Sequence, residues 1–126
     1  MPLIYVIDDD KETLDLMQTY LRKKHFEVCT FFNWHVAFCA IKMRRPELII
    51  LDLFLSDKFD GLDLCRRIKS SPYSKGIPVI VFSGFCQIAE SAINDYGADD
   101  FIAKPIESKN MIEKINSVLF KKRIKI

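Results

Sequence analysis

Three short pieces of this chain, far apart in sequence, carry side chains that could do chemistry together. They are Asp8-Asp9-Asp10 after the apolar run Leu3-Ile4-Tyr5-Val6-Ile7, Asp52 after Leu48-Ile49-Ile50-Leu51, and Lys104-Pro105 after Phe101-Ile102-Ala103. Each apolar run reads as a short buried strand. If those strands are parallel neighbours, their carboxyl ends share one edge of a sheet, the edge at which open α/β sheets bind ligands. Several carboxylates and one ammonium then crowd into one place. Two carboxylates about 4 Å apart repel by roughly 4 kcal/mol at an effective dielectric near 20. A chain that concentrates acid in this way holds a hard cation there, a lysine, or both.

The elements that must position these groups alternate strand and helix five times along the sequence. Strands are expected at Leu3–Ile7, Glu27–Phe32, Leu48–Leu51, Val79–Phe82 and Asp100–Ala103. Helices are expected at Lys11–Lys24, Trp34–Met43, Gly61–Ser70 and Ile88–Tyr96, with a last one opened by a Ser108 cap. Leu14, Met17 and Leu21 form one apolar stripe, Leu62, Cys65 and Ile68 another, and Met111, Ile112, Ile115, Val118 and Leu119 a third. Ala37, Ala40 and Ile41 are expected to face inward. Arg45-Pro46 stops the second helix, because proline disfavours helix in the residue before it. Gly97 is the expected C-cap of the fourth. Ser56–Asp60 reads as loop. Five βα pairs with short connections predict right-handed crossovers and a three-layer α/β sandwich with a five-stranded parallel sheet. The order 2-1-3-4-5 places the first and third strands side by side.

Composition narrows the class. With 126 residues, 49% of them apolar, the chain suits one globular domain rather than disorder. The domain is expected over residues 1–121, with 122–126 as a basic tail or the start of a linker. The apolar runs are too short to cross a membrane, and Met1-Pro2-Leu3 enters the first strand without the pattern of a signal peptide. A net charge of +2 is too small to imply nucleic-acid binding. The basic run Lys121-Lys122-Arg123-Ile124-Lys125 suits a solvated helix end, whose dipole favours cations, and could also favour an acidic partner. Cys29, Cys39, Cys65 and Cys86 show no metal-ligand spacing and read as small apolar residues in a reducing, cytoplasmic compartment. His25 and His35 read as surface or helix-end residues.

Taken together, Val6-Ile7-Asp8-Asp9-Asp10, Leu51-Asp52-Leu53, Asp60-Gly61, Val81-Phe82-Ser83-Gly84, Gly97-Ala98-Asp99-Asp100-Phe101 and Lys104-Pro105 resemble the response-regulator receiver domain of two-component signalling. Each piece alone is a weak signal; in this order and at these spacings they are specific. The resemblance runs from about Leu3 to Leu119 and implies a flavodoxin-like (βα)5 fold. It implies that Asp52 receives a phosphoryl group from a phosphohistidine. It implies Mg²⁺ held by Asp8 and Asp9, Asp9 directly and Asp8 largely through water, with Asp52 and the backbone carbonyl of Phe54. Ser83 would bond a phosphoryl oxygen, Lys104 would pair with Asp52 and then with the phosphate, and Phe101 would be the aromatic switch. Pro105 matches a proline often preceded by a cis bond. The implied partners are a histidine kinase or histidine phosphotransfer protein and a downstream effector or output domain. Neither nucleic acid nor membrane is expected to be bound directly. A phosphorylation-dependent homodimer through the last-helix face follows by analogy.

The chemistry is coherent without the family. Phosphoryl transfer spreads charge over the transferring oxygens, so a protein mainly positions and neutralises. Mg²⁺ takes six oxygens, several of them water. A lysine reaches phosphate as a point charge, and a serine hydroxyl donates one hydrogen bond. A carboxylate is a recognised nucleophile. Plainer roles compete: Asp10 reads better as the cap of the first helix than as a ligand, Asp8 and Asp9 could be helix-start acids, and Phe101 could be core. There are also departures from the family pattern. Leu55-Ser56 stands where a proline is common, the interval from Asp52 to Gly61 is one residue longer than usual, and that from Ser83 to Lys104 is one residue shorter, which would trim or loosen the helix near Ile88–Tyr96. Phe54 and Phe85 flank the expected phosphate and would slow autodephosphorylation by blocking water, a role that decay rates of Phe54→Asn and Phe85→Glu would check. The expected molecule is a signalling switch that catalyses its own phosphorylation and dephosphorylation, rather than an enzyme with an external substrate. Three other readings are weaker. A degenerate receiver used as a scaffold conflicts with intact Asp9, Asp52, Ser83 and Lys104. A haloacid-dehalogenase-type phosphatase needs an acid where Phe54 stands. For a flavin or dinucleotide protein, no G-x-G-x-x-G follows the first strand. A stand-alone receiver and a receiver cut from a longer protein fit equally well.

Overall fold

The computed structural model describes residues 1–52, 60–84, 86–105 and 107–124, with Asp60 and Cys86 described by backbone alone. In chain order the elements are β1 (Leu3–Ile7), α1 (Lys11–Lys23), β2 (Glu27–Phe31), α2 (Trp34–Met43), β3 (Leu48–Asp52), α3 (Asp60–Ser70), β4 (Val79–Ser83), a 3₁₀ turn (Cys86–Ile88), α4 (Ala89–Tyr96), β5 (Asp100–Ala103) and α5 (Ser108–Ile124). The strands form one sheet in the order β2-β1-β3-β4-β5, every neighbouring pair parallel.

Strands buried on both faces read as continuous apolar runs, and β1, β3 and β4 are buried at every residue. Alternate residues feed two separate cores. Ile4, Val6, Ile50, Ile80, Phe82 and Ile102 pack under α1 and α5, against Leu14, Met17, Leu21, Met111, Ile115 and Leu119. Tyr5, Ile7, Ile49, Leu51, Val81 and Phe101 pack under α2, α3 and α4, against Ala37, Ile41, Leu64, Cys65, Ile68 and Ala92. The result is the three-layer sandwich expected from the alternation. Full burial of one such aliphatic side chain contributes about 1.5–3 kcal/mol.

Local chemistry sets the element ends. Asp10 caps α1, and the Asn33 side chain caps α2 by accepting from the backbone N–H groups of His35 and Val36 at 2.8 and 3.3 Å. Gly97 ends α4 at φ 82°, a left-handed conformation that glycine adopts without the Cβ penalty. His25, at φ 68°, is an exposed turn residue after α1. Ser108 does not cap α5: the carbonyl of Glu107 already accepts from Met111 N–H at 3.0 Å, so Ser108 lies inside the first turn. The helix α4 is eight residues long and entered through the 3₁₀ turn. Basic residues Lys121, Lys122 and Arg123 form the last turn of α5, which runs to Ile124. Of the cysteines, Cys65 is buried, Cys29 is half-buried and Cys39 is exposed, so the reading as apolar packing holds best for Cys65. Among the described residues no helix is long and apolar enough to cross a membrane.

Candidate functional site at the carboxyl edge of the sheet

Parallel register brings the chemical residues together. Ile7 pairs with Leu51, Asp52 with Phe82, and Ser83 with Ala103, so the residues that follow β1, end β3 and β4, and follow β5 line one edge. Asp8 donates its backbone N–H to Phe31 O at 3.0 Å, which ties the turn after β1 to the end of β2. The Asp8 side chain accepts from Asp10 N–H at 3.0 Å through Oδ1. Asp10 bonds to the first turn of the helix. Its carboxylate accepts from Glu12 N–H at 3.3 Å and from the Thr13 hydroxyl at 2.6 Å, and the Thr13 bond leads in holding its pKa below the usual carboxylate value. Asp10 therefore starts the helix, leaving Asp8 and Asp9 for the site.

Asp8, Asp9 and Asp52 each offer an oxygen, and these oxygens lie within 4.8 Å of one another. Asp8 and Ser83 are fully buried, Asp52 is 4% exposed and Asp9 is exposed. Burial pushes the Asp8 carboxyl up to about 7; the Asp10 N–H opposes the rise, and the neighbouring Asp52 adds to it. Asp8 Oδ2 meets no hydrogen-bond donor among the described residues. A buried carboxylate oxygen without a donor, held beside a second buried acid, is an acceptor in want of a proton or a cation. The three-carboxylate set is all hard oxygen, which suits Mg²⁺ in preference to softer-ligand metals.

Lys104 supplies the positive charge. Its backbone N–H donates to Ser83 O at 2.9 Å, extending the β4–β5 ladder. Its ammonium donates to Asp52 Oδ2 at 3.3 Å and lies 4.7 Å from the centre of the Phe82 ring. The Lys104–Pro105 peptide bond is cis.

Phe101 is already inward, 7% exposed, on the face shared with α2, α3 and α4. Register with Val81 puts it there. Phe54, Phe85 and residues 56–59 of the loop expected at Ser56–Asp60 lie outside the described residues, and Asp60 opens α3 instead of ending that loop. Two participants escaped the reading of the sequence. One is the Phe82 ring against which the Lys104 ammonium rests. The other is Lys114 of α5, which donates to the backbone carbonyl of Phe101 and pairs with Asp100 at 3.6 Å. Neither has a local signal: a strand phenylalanine and a helix lysine are ordinary until the sheet sets them beside β5.

The profile of the response regulator receiver domain matches residues 4–116. The chain is similar to the DNA-binding dual master transcriptional regulator RpaA of Synechocystis sp., with 31% identity over 94% of the chain and 49% of that protein. It is also similar to the transcriptional regulatory protein GltR of Pseudomonas aeruginosa, with 32% identity over 92% of the chain and 48% of the relative. It thus spans about half the length of the curated relatives it matches. Among solved structures, the receiver domain of NtrX from Brucella abortus superposes with a TM-score of 0.83 at 36% identity, over 92% of this chain and 97% of that one. With that profile covering nearly the whole described fold, the chain belongs to the response regulator receiver domain family, whose role is to accept a phosphoryl group.

Proposed function

We propose that Asp52 is the phosphoacceptor, that Asp8 and Asp9 hold Mg²⁺ with it, and that Lys104 and Ser83 receive the transferred phosphoryl oxygens. The observation that carries this reading is the buried acidic cluster with one ammonium on it: three carboxylate oxygens within 4.8 Å, and Lys104 at 3.3 Å from Asp52. A bound Mg²⁺ supplies charge neutralisation for the phosphoryl oxygens and the acids. By resemblance the backbone carbonyl of Phe54 completes the protein ligands.

In the reaction an Asp52 carboxylate oxygen forms a bond to phosphorus as the bond from phosphorus to the donor histidine nitrogen breaks. The electron pair leaves with that nitrogen, and the product is an aspartyl phosphate. The Lys104 ammonium, resting on Phe82, is held where negative charge accumulates and can pass from Asp52 to the new phosphate. The Ser83 hydroxyl, buried at the end of β4, donates to a phosphoryl oxygen. The protein thereby catalyses its own phosphorylation, and its loss of phosphate follows the same geometry with water. Its donors are a histidine kinase or histidine phosphotransfer protein, its receiver is an effector or output domain, and it works in the cytoplasm. The receiver domain comprises residues 1–121, the boundary falling in the basic last turn of α5, which runs on to Ile124.

Signalling uses the face of α4, β5 and α5. Phe101 starts from the inward position, so phosphorylation stabilises an arrangement already populated rather than driving the ring in from solvent. Lys114, bridging α5 to the Phe101 carbonyl and Asp100, couples that arrangement to the last helix.

Intact mass after incubation with acetyl phosphate, with and without Mg²⁺, tests the assignment. The expected result is a Mg²⁺-dependent phosphoryl adduct on the wild type and none on Asp52→Asn. An adduct that persists in Asp52→Asn overturns the acceptor. No adduct with Mg²⁺ demonstrably unbound points instead to a scaffold.

A further inference from the structure

The opposite edge of the sheet carries a second charged feature that phosphoryl acceptance does not use. Between the amino ends of β3 and β4 and the last turns of α5 lies a cleft of about 260 Å³, walled by Pro46, Ile77, Pro78 and Leu119. A second cleft of about 370 Å³ adjoins it through Gly76, Pro78 and Lys122 and is rimmed by Lys75 and Lys121. Two exposed cations converge over Gly76, which the two clefts share. A Cβ placed on Gly76 would stand 2.9 Å from Arg45 Nη2 and 3.4 Å from Lys122 Nζ. Among the described residues neither Arg45 nor Lys122 has a carboxylate within ion-pair distance; the ion pairs are Arg44–Glu27, Lys69–Asp99, Lys104–Asp52 and Lys114–Asp100. Glu47 is the one acid in the lining of the first cleft, and Asp99, held by Lys69, that of the second.

Arg45 is anchored, not waving. Its Nη1 donates to Tyr73 O at 2.7 Å, which leaves Nη2 aimed at Gly76. A guanidinium fixed on one side and a lysine ammonium on the other, both near one point, fit a single compact dianion. The apolar wall beside that point fits an uncharged body attached to it. Nucleic acid is disfavoured, because it would want cations spread in a stripe and a larger excess than the net +2. An acidic peptide would want them spaced along a groove. The second cleft, at about 370 Å³, is of the size that small-molecule sites occupy, and the first adjoins it.

We propose that this cleft binds a phosphate-bearing small molecule with an apolar body, the phosphate seated between Arg45 and Lys122 over Gly76. The site lies about 16 Å from Asp52, the rise of a five-residue strand. It stands whether or not Asp52 is the acceptor.

The test is an amide NMR titration of the whole chain in 150 mM salt with EDTA, so that no metal bridges a ligand to the acidic cluster. The probes are pyrophosphate and ADP, with adenosine as the uncharged control. ADP is expected to shift Gly76, Ile77 and Lys122 saturably and adenosine to shift them far less. In Arg45→Gln and Lys122→Gln the dissociation constant for ADP rises about tenfold, the scale of one charge-assisted hydrogen bond. Gly76→Ala, which keeps every charge but crowds Arg45, weakens binding as well. All three variants keep the wild-type melting temperature within a few degrees and the wild-type response to acetyl phosphate. Shifts scattered over Lys23, Lys24 and other surface lysines, or affinities unchanged in the variants, overturn the site. So does tighter binding of a glutamate-rich peptide or duplex DNA at the same residues with none of ADP or pyrophosphate, which makes the cleft a macromolecular contact.

Discussion

At the carboxyl ends of β1 and β3, two acids are buried beside a third within 4.8 Å; at the amino ends of β3 and β4, two cations face each other over Gly76 at the surface. Like charges crowd at both edges of one sheet, yet the consequences differ because the solvent differs. Water screens the basic edge. At the acidic edge Asp8 and Asp52 are buried while Asp9 stays exposed, and burial drives Asp8 up to about 7. Burial is therefore what turns a cluster of ordinary carboxylates into a site with a demand for a cation, whereas the exposed basic pair keeps its charge in water and stays available to an anion.

Lys104→Gln should break that contrast most. It removes the cation 3.3 Å from Asp52, and the rate of adduct formation from acetyl phosphate should fall about a hundredfold or more, on the scale of losing one transition-state donor. Removing an acid sharpens the contrast from the other side. In metal-free solution Asp8 binds a proton more tightly folded than unfolded, so its contribution to stability is full below its ordinary value of 3.8 and is lost as pH rises through about 7. Asp8→Asn should erase that loss, making the variant more stable than wild type at pH 8 by on the order of 2–4 kcal/mol. Melting curves without metal at pH 5 and pH 8 check this, and Mg²⁺ titrations should show weaker binding in the same variant. If wild type and variant keep the same gap at both pH values, Asp8 does not titrate in this window.

Smaller effects mark the boundary of the site. Asp10→Ala should cost about 1 kcal/mol by uncapping α1, with Mg²⁺ affinity little changed. A large loss of Mg²⁺ binding would instead enrol Asp10 as a ligand. At the basic edge Lys122→Gln should move stability by less than about 0.5 kcal/mol, as a surface substitution without an ion pair does. Denaturant midpoints measure both.

The fold was largely legible before the structure. Apolar runs such as Leu48–Leu51 carry their burial in their composition, the stripe Met111, Ile115, Leu119 carries its period, and the βα alternation leaves few topologies. The convergence of Asp8, Asp52 and Lys104 on one edge followed from that alternation. Finer matters did not follow. Ser108 looked like a cap because its type is right, but which carbonyl takes the first helical bond depends on how the chain arrives from β5. Asp9 and Asp10 are adjacent acids, yet Asp10 bonds Thr13 in the first turn of α1 while an Asp9 oxygen lies in the acidic cluster.

By itself the sequence determined which side chains stand at strand ends, because short continuous apolar runs and short connections are local properties of the chain. The tertiary structure alone decided how deeply each is buried, that Phe101 already points inward, that Phe82 backs Lys104, and that Arg45 meets Lys122 over a glycine. Those depend on which distant segments exclude water from a given point, and water exclusion is a property of packed layers that no single segment encodes.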